Sequence, residues 1–307
     1  MARSAGPAGP EIAVQATGPR RIGRGGRLVR SLRSNPVALV SLVVMVAILI
    51  AAVAAPYLAP YDPAAQSLRL RLRPPSWLPG GEPGYLLGTD ALGRDMLTRI
   101  LYGARVSILV GVLAVAIQTV IGVGVGLVSG YYGGVVDNVF MRLADVQQAI
   151  PFLVLVVAVA AVVGPSFANT VLILGVTGWV TYGRVVRAQV LSLVQQEYVT
   201  ASRALGGRDW RIMIRHLLPN LVAPITVVAT LTISAMILIE ASLSFLGLGV
   251  PPPTPTWGGM VADGRNYLVT AWWVSVFPGI AIFVTVLVIN LVGDWLREAL
   301  DPTLRGK

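Results

Sequence analysis

The chain has 307 residues, of which 55% are hydrophobic and only 12% are charged, and its mean hydropathy is +0.74. A soluble domain normally carries about twice that share of charged residues, so the composition is that of a membrane protein. The sequence has no cysteine, which excludes disulfides and thiolate metal sites. Its only lysine is the last residue, Lys307. Because a P-loop needs a lysine within a glycine-rich turn, the chain is not an ATPase of that type.

The net charge of +10 does not indicate a nucleic-acid-binding protein, because of where the arginines lie. Seven of them precede residue 36, and most of the others flank apolar runs. Basic residues gathered on one side of a membrane set the orientation of the spanning helices. We therefore expect membrane lipid, and no nucleic acid, around this chain.

The N-terminal region predicts a tail followed by a membrane span. Residues 1–35 are rich in Ala, Gly, Pro and Arg, which predicts a flexible cytoplasmic tail. After Asn35-Pro36, an uncharged run of 19 residues extends from Val37 to Ala55, close to the roughly 20 residues that cross about 30 Å of hydrocarbon. A cleaved signal peptide is the alternative. Its apolar core usually has about 7–15 residues, so we favour an uncleaved span.

Five more apolar helices are predicted after this run. The segment from Pro56 to Arg105 is rich in proline and is expected to be external, and the loop GVPPPTPTWGG cannot be helical because of its prolines. The later spans are predicted at 106–128, from 135 through the apolar run 150–163, at 169–182, at 221–246 and at 273–292. The sequence therefore predicts an all-α polytopic membrane protein with six transmembrane helices.

The distribution of positive charge predicts the orientation. If the six helices cross the membrane in turn, 17 Lys and Arg residues fall on the side of the N-terminus and 7 on the other side. The richer side is expected to be cytoplasmic. We therefore predict a multi-pass protein of the cytoplasmic (inner) membrane with both termini in the cytoplasm.

A polar island, residues 197–220, separates two long apolar stretches on the predicted cytoplasmic side. Its first part has the spacing of one helix face, and Gly206 and Gly207 are expected to end that helix. Asp209 is expected to cap a second short helix that ends before Pro219. A side chain at Gly206 is expected to obstruct the turn. Such a hairpin is suited to docking in a groove of another protein, and the alternative is an amphipathic connector on lipid headgroups.

A second polar signal is the segment LGTDALGRDMLTRILYGAR, residues 87–105. Thr89 or Asp90 is expected to cap an interfacial helix that leads into the second span. Asp95 and Arg99 are four residues apart, which predicts an ion pair on one face of this helix.

Glycines in the second span predict close helix packing. Gly122, Gly126 and Gly130 recur every fourth residue along one face, with Gly124 nearby. Small residues at this spacing let helix backbones approach each other.

Few other ionisable groups lie near the predicted spans. Glu240 is the one carboxylate within an apolar stretch; we expect it to bond to backbone or to an arginine, with proton coupling as the alternative. Asp137, Arg142 and Asp145 are expected to form a local charge network. His216 is expected to belong to the hairpin fold, since no second histidine or cysteine exists to complete a metal site.

Four strings resemble elements of binding-protein-dependent ABC importer permeases of the peptide/nickel group, specifically the C-type subunit. They occur in the order LGTDALGRDMLTRILYGAR (87–105), SGYYGGVVDNVFMRLADVQQAIP (129–151), EYVTASRALGGRDWRIMIRHLLPN (197–220) and EASLSFLGLGVPPPTPTWGGMV (240–261). The resemblance implies the type I ABC importer permease fold, in which one extra helix precedes a five-helix core. It divides the chain into a tail (1–35), the first helix and external segment (36–105), the core (106–297) and a C-terminal tail (298–307).

The same resemblance implies partners. These are a second, homologous permease subunit, two ATP-binding subunits (or one fused subunit) and an external solute-binding protein. The hairpin would be the coupling helix that enters a groove of the ATPase. The residues assigned to that contact are Glu197, Tyr198, Ala201, Ser202, Leu205, Gly206, Gly207 and Asp209.

The function implied is import of di- and oligopeptides, powered by ATP hydrolysis on the separate subunits. Import of nickel complexes or another small solute by the same architecture is the alternative, and an ion-gradient-driven secondary transporter is the alternative of another class. The chain is expected to be no enzyme and to bind no cofactor or metal itself, with ATP and Mg on the partner ATPases. The resemblance assigns no residue to the substrate.

Overall fold

The computed structural model describes Leu32 and residues 34–300, and this part of the chain is helical, without a β-strand. Most of the predicted N-terminal tail and residues 301–307 of the predicted C-terminal tail lie outside the described residues. The helices are α1 (Pro36–Val53), α2 (Ala55–Leu58), α3 (Met96–Tyr132), α4 (Gly134–Gln148), α5 (Phe152–Val163), α6 (Phe167–Thr177), α7 (Trp179–Val194), α8 (Glu197–Ala204), α9 (Asp209–Ile212), α10 (Leu218–Phe245), α11 (Trp257–Gly264) and α12 (Trp273–Leu300).

The first helix begins where the sequence predicts. The Asn35 side chain accepts a hydrogen bond from the backbone N–H of Ala38 at 3.1 Å, and Pro36 lies in the first turn, where its missing N–H has no helical partner to lose. The 18 residues of α1 are long and apolar enough to cross a membrane. The first predicted span is therefore confirmed.

The second predicted span is part of a longer helix. The expected interfacial helix and the span from residue 106 form the single 37-residue helix α3. Asp95 caps α3, because its carboxylate accepts a hydrogen bond from the backbone N–H of Thr98 at 2.7 Å. The prediction that Thr89 or Asp90 caps this helix is wrong.

Two predicted spans are broken. The third consists of α4 and α5, which meet at an angle of 84°. Pro151 lies at this break; it lacks an N–H and disfavours the helical conformation of the residue before it. The fourth is divided between α6 and α7 at Gly178, where an added Cβ would lie 2.3 Å from the side chain of Gln118.

The prediction of six spans is not confirmed as a count. Within the described residues, four helices are long and apolar enough to cross a membrane, and the bent pair of α4 and α5 would be a fifth. Helices α6 and α7 have 11 and 16 residues. At about 1.5 Å per residue, neither alone spans about 30 Å of hydrocarbon.

Helix α3 is the centre of the bundle and packs against α6, α7 and α10. Its glycine stripe faces α7, and an added Cβ would overlap the Cβ of an α7 residue at each glycine. The pairs and their Cβ–Cβ distances are Gly122–Tyr182 (2.4 Å), Gly126–Val186 (2.7 Å) and Gly130–Val190 (2.9 Å). Since both residue numbers rise together, α3 and α7 run in the same direction. The prediction of close helix packing is confirmed.

The bundle has two distinct ends. The hairpin of residues 197–220 lies beside the ends of α3 and α7, and we call this the hairpin end. The segments 59–95 and 246–272, which include α11, lie around the start of α3 and form the loop end.

Candidate functional site

The hairpin has only one separate short helix. Helix α8 ends as predicted, but α9 continues through a π turn, Met213–Leu217, directly into α10. The prediction of a second short helix ending before Pro219 is therefore wrong. A proline ring crowds the preceding helical turn, and the wider π turn provides room for it.

The two glycines of the hairpin have different roles. Gly206 has a φ of +76°, which side chains rarely adopt, and an added Cβ there would meet no atom within 4 Å. At Gly207 an added Cβ would lie 2.7 Å from the carbonyl oxygen of Ser202. The expected obstruction of the turn thus applies to Gly207, whereas Gly206 is required for its backbone conformation.

Asp209 connects the hairpin to α3. The prediction that Asp209 caps the second helix is wrong, because Arg208 holds the cap position of α9 and no side chain caps the turn. The Asp209 carboxylate instead accepts a hydrogen bond from the Tyr131 hydroxyl at 2.7 Å. The guanidinium of Arg203 lies over the Tyr131 ring, 4.6 Å from its centroid. Tyr131 therefore contacts both arms of the hairpin.

The hairpin has a buried face and an exposed apolar face. Val199, Ile212 and Leu217 are fully buried and pack with residues of α3, α7 and α10. The exposed apolar side chains, with their exposed fractions, are Tyr198 (44%), Leu205 (88%), Trp210 (53%) and Ile214 (57%). Several large exposed apolar side chains on one short segment are typical of a contact with a protein or a membrane.

The structure places most of the predicted coupling residues on the accessible surface of the hairpin. Ser202 and Gly207 are half-buried inside the turn. His216 is half-buried, with its ring centroid 6.5 Å from that of Tyr198. Within the described residues, no group of three His, Cys, Asp or Glu could hold a metal ion. The exposed coupling residues are Glu197, Tyr198, Ala201, Leu205, Gly206 and Asp209.

Two ion pairs join α4 to α7. Asp137 pairs with Arg187, and Asp145 with Arg184 at 2.6 Å. The expected charge network thus extends to the neighbouring helix, and Arg142 forms no ion pair within residues 34–300.

Asp90 is the centre of a buried network at the loop end. Its carboxylate pairs with the guanidiniums of Arg94, at 2.7 Å, and Arg99. It also accepts hydrogen bonds from the backbone N–H groups of Leu92 and Arg94 at 2.8 and 2.9 Å. The predicted Asp95–Arg99 pair is wrong, because Asp95 caps α3 and Arg99 turns to Asp90. Burial raises the pKa of the Asp95 carboxyl, although the backbone N–H of Thr98 acts in the opposite direction.

The helical bundle with its exposed apolar hairpin is consistent with the protein families that this sequence matches. Residues 122–306 match the family described as "Binding-protein-dependent transport system inner membrane component". Residues 24–75 match the family described as "N-terminal TM domain of oligopeptide transport permease C". The chain belongs to the binding-protein-dependent permeases.

Several curated proteins resemble this permease over nearly all of its length. The di/tripeptide transport system permease protein DppC of Pseudomonas aeruginosa (strain UCBPP-PA14) is 46% identical over 277 residues, which is 90% of this chain and 91% of the relative. The dipeptide transport system permease protein DppC of Escherichia coli (strain K12) is 47% identical over 273 residues, 89% of this chain and 91% of the relative.

A solved structure has the same fold. A chain from the inward-facing MetNI methionine ABC transporter superposes with a TM-score of 0.53, at 20% sequence identity. The match covers 67% of this permease and 98% of the other chain. This shows that the permease has the ABC importer permease fold.

Glu240 of the permease joins α10 to α3. It is fully buried, and its carboxylate accepts hydrogen bonds from the hydroxyls of Ser107 at 3.0 Å and Ser244 at 2.7 Å. The expected bond to backbone or to an arginine is therefore wrong. Hydroxyl groups of α3 and of the next turn of α10 satisfy this buried group instead.

Gln147 and Gln148 lie at the break between α4 and α5 and are not among the residues predicted from the sequence. The Gln147 amide nitrogen donates to the carbonyl oxygen of Thr177, and its oxygen accepts from the indole N–H of Trp179 at 2.9 Å. These bonds join the α4–α5 break to the α6–α7 break. The residues of the sequence that could have indicated these two breaks are Pro151 and Gly178, each of which interrupts a predicted span.

Proposed function

We propose that this chain is a permease subunit of an ABC importer that moves di- and oligopeptides across the cytoplasmic membrane, powered by ATP hydrolysis on separate subunits. The observation that carries the proposal is 46–47% identity, over about nine-tenths of the chain, to permeases named for dipeptide and di/tripeptide transport. The four apolar helices and the bent pair provide its membrane-embedded body.

The proposed partners follow from this assignment. They are a second homologous permease subunit, two ATP-binding subunits (or one fused) and an external solute-binding protein. The chain itself would hold no cofactor or metal and no catalytic residue, and ATP and Mg would bind to the ATPase subunits. The proposed ATPase contact is the exposed side of the hairpin from Glu197 to Asp209, where Leu205 is the most exposed large apolar side chain.

The proposed orientation places the hairpin and both termini in the cytoplasm. It is supported by the excess of Lys and Arg, 17 against 7, on the hairpin side of the chain. In this orientation the ATPases meet the hairpin and the binding protein meets the loop end. ATP can drive transport only if the ATPase binds the hairpin differently in its two states.

Uptake by reconstituted vesicles tests the function. The complex with its permease partner, ATPases and binding protein is placed in proteoliposomes, and uptake of a labelled dipeptide is measured with ATP inside or outside. We expect uptake that requires ATP on the hairpin side and survives collapse of ion gradients. Uptake that persists without ATP but stops with an ionophore would establish a secondary transporter. Uptake of a nickel complex but of no peptide would establish a nickel importer of the same architecture.

A further inference from the structure

Two helix breaks lie side by side in the bundle. The α4–α5 break at residues 149–151 and the α6–α7 break at Gly178 line one cavity of about 660 Å³. Gln118 of α3 lies in the same cavity wall. It is 14 residues before Tyr132 at the hairpin end of α3, which places it about 21 Å from that end at ~1.5 Å per residue. The cavity is therefore at the depth of the hydrocarbon.

The carbonyl groups freed by the α6–α7 break are bound by glutamines. Gln118, which is buried, donates to the carbonyl oxygen of Leu174 at 3.0 Å, and Gln147 donates to that of Thr177. Non-helical backbone at membrane depth is tolerated where protein satisfies it or where it lines an aqueous cavity. The first condition is met here, since the two glutamines bind the freed carbonyl oxygens. In secondary transporters, broken helices of this kind form the solute sites.

The lining of the cavity is polar in part but uncharged. One wall is the apolar face of α10, from Val228 to Ile239, and no Asp, Glu, Lys or Arg is among the lining residues. The amide of Gln148 is exposed and makes no hydrogen bond within the described chain. Thr181 of α7 is also exposed and faces the same cavity. The polar side chains of the lining are Gln118, Gln147, Gln148, Thr177, Thr181 and Thr232.

Charge is present only beyond the cavity, and it is balanced. Asp145 and Arg184 lie three residues from Gln148 and Thr181, toward the hairpin end, and their side chains pair at 2.6 Å. This pair neutralises itself, so it presents no net charge to the cavity. An isolated carboxylate or ammonium would have no opposite charge to pair with there and is costly to desolvate.

We propose that this cavity is the part of the solute path contributed by this chain, and that Gln148 with Thr181 binds the uncharged peptide-bond group of the passing solute. The inference rests on the proposed function, and it specifies which chemical group of the peptide this chain binds. A glutamine amide both donates and accepts, so it is complementary to the N–H and C=O of a peptide bond. The charged termini of the peptide stay hydrated in the open part of the path.

The first test compares Gln148→Leu, Gln148→Asn and Gln189→Leu in the reconstituted complex. Gln189 is the matched control, since it is exposed on α7 and outside the cavity lining. Loss of one or two hydrogen bonds is expected to lower dipeptide uptake per ATP hydrolysed by about 5- to 30-fold in Gln148→Leu. ATPase stimulation by the loaded binding protein should stay as in the wild type, Gln148→Asn should keep most of the uptake, and Gln189→Leu should keep all of it. Unchanged uptake in Gln148→Leu would overturn the proposal.

A second test covers the case in which Gln148→Leu does not assemble. The chain has no cysteine, so Thr181→Cys and Val120→Cys each provide a single thiol. Val120 of α3 is 74% exposed, two residues from Gln118 and outside the cavity lining. A membrane-impermeant maleimide, which needs the hydrated thiolate, should label Thr181→Cys, and turnover with dipeptide should slow that labelling. Val120→Cys should react little. No labelling at Thr181→Cys would show that lipid or the second permease fills the cavity.

The two proposals fail in different ways. If the wild-type complex imports no peptide at all, the proposed function is wrong, whatever the Gln148 variants do. If wild type imports dipeptide and Gln148→Leu imports it equally well, only the cavity proposal is wrong.

Discussion

The hydroxyl of Tyr131, at the end of α3, donates a 2.7 Å hydrogen bond to the carboxylate of Asp209 in the hairpin. Tyr131 is buried and its ring also carries the Arg203 guanidinium. The central helix of the bundle and the proposed ATPase contact are thus joined by one side chain. We expect a displacement of the hairpin to reach α3 through this contact, in addition to the apolar packing of Val199 and Ile212.

Tyr131→Phe removes this hydrogen bond, together with the one that the hydroxyl accepts from Arg203 Nε at 3.3 Å, and keeps the ring. The bond involves a charged group, but Asp209 is exposed, so we expect a loss of about 1 kcal/mol, equivalent to about fivefold in the coupling equilibrium. Uptake per ATP hydrolysed should fall by up to that factor in proteoliposomes. Tyr132→Phe is the control, because Tyr132 is 53% exposed and its hydroxyl makes no hydrogen bond in the described residues. Equal coupling in both variants would show that apolar packing alone moves α3.

Gly122→Ala should destabilise the contact between α3 and α7. The new Cβ would lie 2.4 Å from the Tyr182 Cβ and 2.6 Å from the Trp179 carbonyl oxygen. Overpacking of this kind costs about 1–3 kcal/mol. Gly124→Ala is the matched control, since no atom lies within 4 Å of its Cβ position; it should be neutral or slightly stabilising. Thermal unfolding in detergent measures both, and equal midpoints would contradict the close packing.

Gly206 should tolerate asparagine better than valine. The site is open but has a φ of +76°, a conformation that costs about 1–2 kcal/mol for most L-residues and less for asparagine. Gly206→Val is expected to distort the turn and uncouple ATP hydrolysis from uptake, whereas Gly206→Asn should remain coupled. The measurement is the ratio of peptide uptake to phosphate release. Full coupling in Gly206→Val would mean that the turn does not need this conformation.

The sequence predicted those features that depend on neighbouring residues. Asn35 and Pro36 start α1, and Gly206 ends α8, because each is a local effect. The spacing of the glycine stripe predicted close packing but not its partner, which is α7. A glycine alone did not predict the break at Gly178. Gln118, which is 60 residues away in the sequence, fills the space beside this glycine.

The cap of α3 at the loop end also depends on residues that are distant in the sequence. Asp90 and Asp95 are both good cap residues by type. The Asp90 carboxylate pairs with Arg94 and with Arg99, which is nine positions along the chain, and Asp95 caps α3. Likewise, Asp209 is a good cap residue by type but bonds to Tyr131 from another helix. Tertiary contacts decide between local alternatives that the sequence pattern leaves equal.

Glu240 provides the test of proton coupling. Its carboxylate only accepts hydrogen bonds, from Ser107 and Ser244. In Glu240→Gln the amide keeps the shape, and a serine hydroxyl can rotate to accept from the new NH₂ group. If this residue only joins α10 to α3, Glu240→Gln should import peptide at nearly the wild-type rate, with no dependence on a proton gradient.

Glu240→Leu is the contrasting variant. It leaves both serine hydroxyls without their buried acceptor, at a cost of about 1–3 kcal/mol, so its thermal midpoint in detergent should fall below that of Glu240→Gln. If the carboxylate instead carries protons during transport, Glu240→Gln should keep a normal thermal midpoint and yet lose uptake. Because both outcomes are read from the same two variants, stability and uptake together separate a structural hydrogen-bond acceptor from a proton carrier.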